Sequence, residues 1–67
     1  MQLSARNQLK GKVTSVKTDG LMAEVTIDIG GNELVSTITK GSAEKLGLKK
    51  GDAVTVVIKA SEVLVGK

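Results

Sequence analysis

Hydrophobic and polar residues alternate along much of this chain with a period of two, which predicts β-strands. The clearest alternation covers residues 21–29. One face there carries Leu21, Ala23, Val25, Ile27 and Ile29, and the other carries Met22, Glu24, Thr26 and Asp28. Weaker alternation predicts a strand over 9–16, and runs rich in β-branched residues predict strands over 33–39 and 53–58, with a short last strand over 63–65.

The segments between these strands carry turn and helix signals. Thr18-Asp19-Gly20 and Gly30-Gly31-Asn32 are typical of tight turns. Between the third and fourth strands, Ser42 suits an N-cap and Gly47 suits the residue after a helix, which predicts one or two helical turns. The pattern therefore predicts an all-β fold, a five-stranded OB-like barrel with one short helix between strands three and four.

The composition limits how such a small fold can be stabilised. The chain has 67 residues, which predicts one domain spanning 1–67. It contains no Cys, His, Phe, Tyr or Trp, so disulfides, a zinc site and large aromatic core residues are excluded. Oligomerisation is the remaining common source of extra burial for a domain of this size, and we expect a homo-oligomer.

The charge pattern points to a small anion more than to a polymer. The formal net charge is +3, which favours an anionic partner. Acidic residues are interspersed with the lysines, so there is no basic block of the kind that binds nucleic acid. No apolar run reaches the roughly 20 residues of a membrane span, and no signal peptide is visible. We expect a soluble, cytoplasmic protein that does not contact a membrane.

Catalysis and base stacking have little support in this sequence. An enzyme would lack His as a base and Cys as a nucleophile, so we expect no enzymatic activity. Single-strand binding by an OB-like barrel uses aromatic side chains on which bases stack, and the chain has none. Salt-sensitive binding of a single strand by lysines alone is left as a distant alternative.

Three short segments supply hydrogen-bond donors for an oxyanion. They contain Ser4 and Arg6 near the start, Thr39 at the end of the third strand, and Lys59 and Ser61 after the fourth. Taken singly, the segments with Ser4 and Lys59 are better explained as a tail and an ordinary loop, and Thr39 is explained equally well as an exposed strand residue. Together they provide cations and hydroxyl donors, and these segments contain no Asp or Glu before Glu62. Such a set suits a fully deprotonated tetrahedral dianion.

The same segments resemble a known family. Ser4-Ala5-Arg6-Asn7-Gln8-Leu9-Lys10-Gly11 is similar to the opening motif of the molbindins, the small molybdenum-pterin-binding (Mop) proteins. The resemblance continues through residues 36–39, 42–48 and 57–63, and it covers essentially the whole chain. It implies an OB-like barrel that assembles as a hexamer, a trimer of dimers, with oxyanion sites between subunits.

The resemblance also implies a ligand and a set of site residues. The ligand would be molybdate, with tungstate as its mimic and no metal cation as cofactor. The implied oxyanion-binding residues are Ser4, Ala5, Arg6, Thr39, Lys59, Ala60 and Ser61. The implied role is intracellular molybdenum storage, buffering or homeostasis without nucleic acid. A detached regulatory domain that senses the anion is the main alternative, and a structural role without a ligand is the other.

Overall fold

The computed structural model describes residues 3–67, so the first two residues of the predicted domain lie outside the described range. It contains four strands and two short helices. The elements are β1 (Asn7–Asp19), β2 (Met22–Asp28), β3 (Glu33–Thr39), α1 (Lys40–Leu46), β4 (Ala53–Ile58) and the 3₁₀ turn Ala60–Glu62. No helix within residues 3–67 has the length and apolar character needed to cross a membrane.

The four strands form one antiparallel sheet in the order β3-β2-β1-β4. β1 is the central element, since residues 7–12 pair with β4 and residues 12–19 pair with β2. Its 13 residues would extend about 40 Å at roughly 3.3 Å per residue, yet the longest dimension of the molecule is 33 Å. The strand must therefore curve, and the sheet curls into an open half-barrel.

A β-bulge at Thr14 marks the point where β1 changes partner. The pairing with β2 runs from Val13 opposite Ile27 to Ser15 opposite Thr26, so Thr14 is the extra residue. A bulge locally increases strand twist and bend. It therefore lets one strand belong to both halves of the curled sheet, and it explains why β1 is longer than the predicted strand 9–16.

The buried core is small and lies on the concave face of the sheet. Among residues 3–67 the buried apolar side chains are Val13, Ala23, Val25, Ile27 and Ala43. Three of these alternate along β2, which confirms the predicted inward face at the centre of that strand. Leu21 does not follow the pattern and is 84% exposed, because it lies in the turn before β2.

The helix begins three residues earlier than the predicted N-cap at Ser42. Thr39 is the N-cap, and its hydroxyl oxygen accepts a hydrogen bond from the Ser42 N–H at 3.1 Å. The prediction of Ser42 as N-cap is wrong, because Thr39 ends β3 in an extended conformation and can turn directly into the helix. Gly47 ends the helix with φ 62°, in the left-handed conformation predicted for it.

The predicted fifth strand over Val63–Val65 is wrong for this chain. The 3₁₀ turn Ala60–Glu62 follows β4 and leads the chain away, and no strand pairing includes residues 63–65. Leu64 and Val65 are 94% and 92% exposed. The all-β, OB-like fold with one short helix is therefore present, but it is a four-stranded half-barrel and not a closed five-stranded barrel.

Candidate functional site

The strand register brings the two ends of the chain together. β1 and β4 pair antiparallel, with Asn7 opposite Ile58 at the end of the ladder. Residues 4–6 and 59–61 lie just beyond this last pair, so the ladder brings the two segments close together. Residues more than 50 positions apart in sequence therefore meet because β1 begins where β4 ends.

These residues line one concavity of about 330 Å³ on the surface of the chain. Its walls are formed by Ser4, Ala5, Arg6, Lys59, Ala60 and Ser61. Six of the seven residues that the sequence singled out are thus brought to one place. They present a guanidinium, an ammonium and two hydroxyl groups, all of which can donate hydrogen bonds.

Local hydrogen bonds set the shape of each wall. On one side, the Gln8 side-chain amide donates to the Ala5 carbonyl at 2.9 Å, which ties the opening segment to the start of β1. On the other side, the 3₁₀ turn uses the N–H groups of Glu62 and Val63 as donors. The N–H groups of Ala60 and Ser61 lie ahead of these bonds, so the turn does not use them.

Gln8 was not among the predicted site residues, and its role here is to position others. Its side chain does not line the concavity, and it holds the Ala5 carbonyl. The only signal in the sequence was a polar residue just before the alternating part of β1, which is too common to predict such a contact. The contact depends on the bend of the chain at residues 4–6.

The concavity is positively charged and open to solvent. None of its six lining residues is acidic, and Glu62 follows them at the end of the 3₁₀ turn. Arg6 and Lys59 line the same concavity, so their like charges repel each other, and a bound anion relieves that repulsion. All the lining residues are exposed except Ala5, which is half-buried, so water screens the site strongly in the single chain.

Thr39 lies apart from the other predicted site residues. It pairs with Met22, which in turn pairs with Asp19 at the far end of β1. Arg6, in contrast, precedes the start of that 13-residue strand. The Thr39 hydroxyl also donates to the Ser42 hydroxyl oxygen at 2.8 Å. Within one chain Thr39 therefore does not line the concavity and acts as a helix cap.

The donor set is unsuited to a metal cation. No group of three or more His, Cys, Asp or Glu side chains that could hold a metal ion occurs among residues 3–67. Guanidinium, ammonium and backbone N–H groups carry protons toward a ligand and offer it no lone pair. The geometry therefore favours a small oxyanion whose oxygens accept several hydrogen bonds at once.

Comparison with known proteins gives consistent results for this chain. The model of the TOBE domain family matches residues 3–65. The chain is 48% identical over 66 residues to molybdenum-pterin-binding protein 1 of Clostridium pasteurianum, covering 97% of each chain. Its structure is similar to that of a molybdate-binding protein from Sporomusa ovata, with a TM-score of 0.95, 40% identity and complete coverage of both chains.

A structure of the cytoplasmic molybdate-binding protein ModG, with molybdate bound, is also similar. The TM-score is 0.89 with 45% identity, and the match covers 96% of this chain and 46% of that protein. The half-barrel fold is thus shared with one protein of the same length and with part of a longer one.

Proposed function

Because the chain belongs to the molbindin family of molybdenum-pterin-binding proteins and carries its TOBE domain, we propose that it binds molybdate reversibly. The observation that carries the proposal is the concavity walled only by donors and small residues. Residues 1–67 act as one molybdate-binding module. Its role is molybdenum storage, buffering or homeostasis in the cytoplasm, the compartment named for the similar protein ModG.

Binding proceeds by charge-assisted hydrogen bonds without covalent chemistry or catalysis. Arg6 and Lys59 neutralise the dianion, and the Ser4 and Ser61 hydroxyls donate to its oxygens. The N–H groups near Ala5 and Ala60 complete the contacts. The two cations and the N–H groups favour a fully deprotonated oxyanion, because they offer no acceptor to the O–H group of a protonated one. Tungstate satisfies the same requirements and acts as a mimic.

The functional site requires more than one copy of the chain. Its walls are exposed in a single chain, where solvent screening weakens each ionic contact. Thr39 can reach such a site only from a neighbouring copy, because β1 separates it from Arg6 within its own chain. A homo-oligomer with sites between subunits meets both requirements, and a hexamer built as a trimer of dimers is the assembly we propose.

The test is isothermal titration of molybdate into the purified protein, with sulfate at equal ionic strength as the control. Calorimetry suits this chain because it lacks Trp and Tyr, so intrinsic fluorescence is not available as a signal. We expect saturable heats for molybdate and little response to sulfate. Equal weak heats for both anions would indicate a merely basic surface and would overturn the proposal.

A further inference from the structure

One aspartate in this chain differs from the other two in the residue that follows it. Of Asp19, Asp28 and Asp52, only Asp19 precedes a glycine, and the others precede an isoleucine and an alanine. The side chain of the following residue crowds the approach of its own backbone nitrogen to the aspartate carboxyl group. Glycine has no side chain, so Gly20 leaves this approach open.

The carboxylates of Asp28 and Asp52 are held by backbone N–H groups. Asp28 Oδ1 accepts hydrogen bonds from two glycine N–H groups in the following turn, each at 3.0 Å. Asp52 Oδ2 accepts one from the N–H three residues earlier in the chain, also at 3.0 Å. No hydrogen bond in the described part of the chain involves the Asp19 side chain. The Asp19 carboxyl group is therefore free to rotate toward the backbone that follows it.

Gly20 begins a two-residue turn between Asp19 and Met22, which pair with each other at the end of the β1–β2 hairpin. Gly20 has φ 61°, and Leu21 has a negative φ, since the described residues with positive φ are all glycines. This is the sign pattern of a type II′ turn. Asp19 and Gly20 are both exposed. Among the described turn and loop hydrogen bonds, none uses the Gly20 N–H as donor, so this nitrogen is accessible to the Asp19 carboxyl group.

We propose that Asp19 converts spontaneously to isoaspartate through a cyclic imide with Gly20. The Gly20 nitrogen attacks Cγ of the protonated Asp19 carboxyl group, and a C–N bond forms. The carboxyl O–H leaves with the proton of the amide nitrogen as one water molecule, which gives a five-membered succinimide. Water then opens the ring at either carbonyl carbon. Opening at the backbone carbonyl carbon leaves a main chain that runs through Cβ and Cγ of residue 19.

The product carries a group that a second protein can recognise. Its main chain passes through the former side chain, which leaves the former backbone carboxyl group free on Cα. Carboxyl methyltransferases that use S-adenosylmethionine esterify this group, and the ester closes again to the succinimide. The modified hairpin is therefore a substrate for this class of repair enzyme, and the unmodified hairpin is not.

The modification changes a junction between the hairpin and α1. It adds one methylene group to the main chain of a two-residue turn, and the turn sets the register of the hairpin. The Leu21 carbonyl in that turn accepts a hydrogen bond at 2.7 Å from the N–H of Lys40, the first residue of α1. Met22 pairs with Thr39, the cap of the same helix. Isoaspartate at residue 19 weakens these contacts.

Peptide mapping of the aged full chain locates the modification. The purified protein is incubated at physiological temperature and pH and digested with trypsin, which cleaves after Lys17 and Lys40 and releases residues 18–40. This peptide holds both Asp19 and Asp28, so electron-transfer fragmentation compares the two sites in one molecule. We expect isoaspartate at residue 19 to increase with time and residue 28 to stay unmodified. No isoaspartate at residue 19, or equal amounts at both residues, would overturn the inference.

Two variants test the chemistry while keeping Gly20 in its turn. Asp19→Glu would need a six-membered ring, which closes far more slowly. The aged variant should therefore lose the methyl groups that an isoaspartyl methyltransferase transfers to the aged wild type from labelled S-adenosylmethionine. Asp19→Asn forms the same succinimide by losing ammonia and should gain isoaspartate faster than the wild type. Methylation of aged Asp19→Glu at the wild-type level would contradict the assignment to this turn.

The isoaspartyl form, separated from the same aged sample by ion-exchange chromatography, shows the effect on the hairpin. We expect a lower thermal midpoint than in the unmodified fraction, and an equal midpoint would overturn the proposed effect on the junction. The cationic concavity lies at the opposite end of β1, and none of these measurements uses molybdate. Their outcome is therefore independent of the proposed function.

Discussion

The centre of the β1–β2 hairpin and the C-terminal end of the chain are built in opposite ways. In the hairpin, Val13 and Val25 are 1% and 2% exposed, and their contacts are completed within one chain. At the other end, residues 59–65 are exposed along their whole length and carry cations, hydroxyl groups and then an apolar run. The first region determines whether the chain folds, and the second leaves its groups available for a ligand and a second copy.

This difference shows where substitutions should affect folding and where they should affect binding. A change in the hairpin disturbs a packed region that has no room to adjust. A change around Arg6 or Lys59 removes groups that make few contacts within the chain. Substitutions at Gly11, Arg6 and Thr39 test this division, in order from the largest expected effect to the smallest.

The largest effect is expected from Gly11→Ala in the packed region. A Cβ at this position would lie 2.5 Å from Ile27 Cγ2 and 3.0 Å from the Asp28 carbonyl oxygen, so the buried Ile27 side chain and the adjoining backbone would have to shift to admit it. We expect the free energy of unfolding to fall by about 2–3 kcal/mol, measured by denaturant unfolding at fixed protein concentration.

Gly41→Ala is the matched control for this substitution. Gly41 lies in α1, and a Cβ there would meet nothing within 4 Å. Alanine is the better helix former, so stability should stay constant or rise by up to about 1 kcal/mol. Equal destabilisation by both variants would show that the close approach of β1 to β2 is not what requires glycine at position 11.

The second effect is expected from Arg6→Ala in the cationic concavity. Hydrogen bonds to charged groups contribute on the order of 1.5–3 kcal/mol, so we expect roughly 10- to 100-fold weaker molybdate binding. Molybdate should raise the thermal midpoint of the wild type, and this rise should largely disappear in the variant. The midpoint without the anion should change little, because Arg6 is exposed.

Lys50→Ala removes the same unit of charge from an exposed turn outside the concavity. It should preserve the molybdate-induced rise in the midpoint. If Lys50→Ala and Arg6→Ala weaken the response equally, net charge and not the site accounts for binding. If Arg6→Ala keeps the full response, the assignment of the site is wrong.

The smallest effect is expected from Thr39→Ala, which tests two roles of one hydroxyl group. Loss of the cap on α1 should cost about 1 kcal/mol of stability, and Thr39→Ser should restore it because serine caps equally well. If the Thr39 O–H turns from the Ser42 hydroxyl to an anion at a neighbouring copy, calorimetry should show weaker binding for Thr39→Ala and recovery in Thr39→Ser. Unchanged stability in Thr39→Ala would contradict the capping role.

The alternating pattern and the turn residues were enough to predict most of the local structure. The period of two identified β2 and its inward face, since a strand with one buried side must place its apolar residues on alternate positions. Gly30 and Gly31, with φ 95° and 99°, end that strand as predicted, because glycine adopts positive φ at little cost. The resemblance carried by residues 4–11 identified the family, which the comparisons confirm.

Other features depend on contacts between distant parts of the chain, which a local pattern does not contain. The bulge at Thr14 and the demand for glycine at position 11 arise only where β1 packs against β2. The separation of Thr39 from Arg6 follows from the length of β1. The donors that the sequence analysis grouped into one site therefore lie at two ends of the fold.

The amino-acid sequence by itself determined the four strands of the sheet and the turns between them, because these follow from side-chain periodicity. Its composition determined the cationic donors and the absence of disulfides. The tertiary structure decided which donors meet, since that depends on the register of β1 with β4. It also decided that Val63–Val65 would not close the barrel. An apolar run of β-branched and leucine residues predicts burial beside a strand, but only the path of the chain after Lys59 determines whether that strand lies within reach.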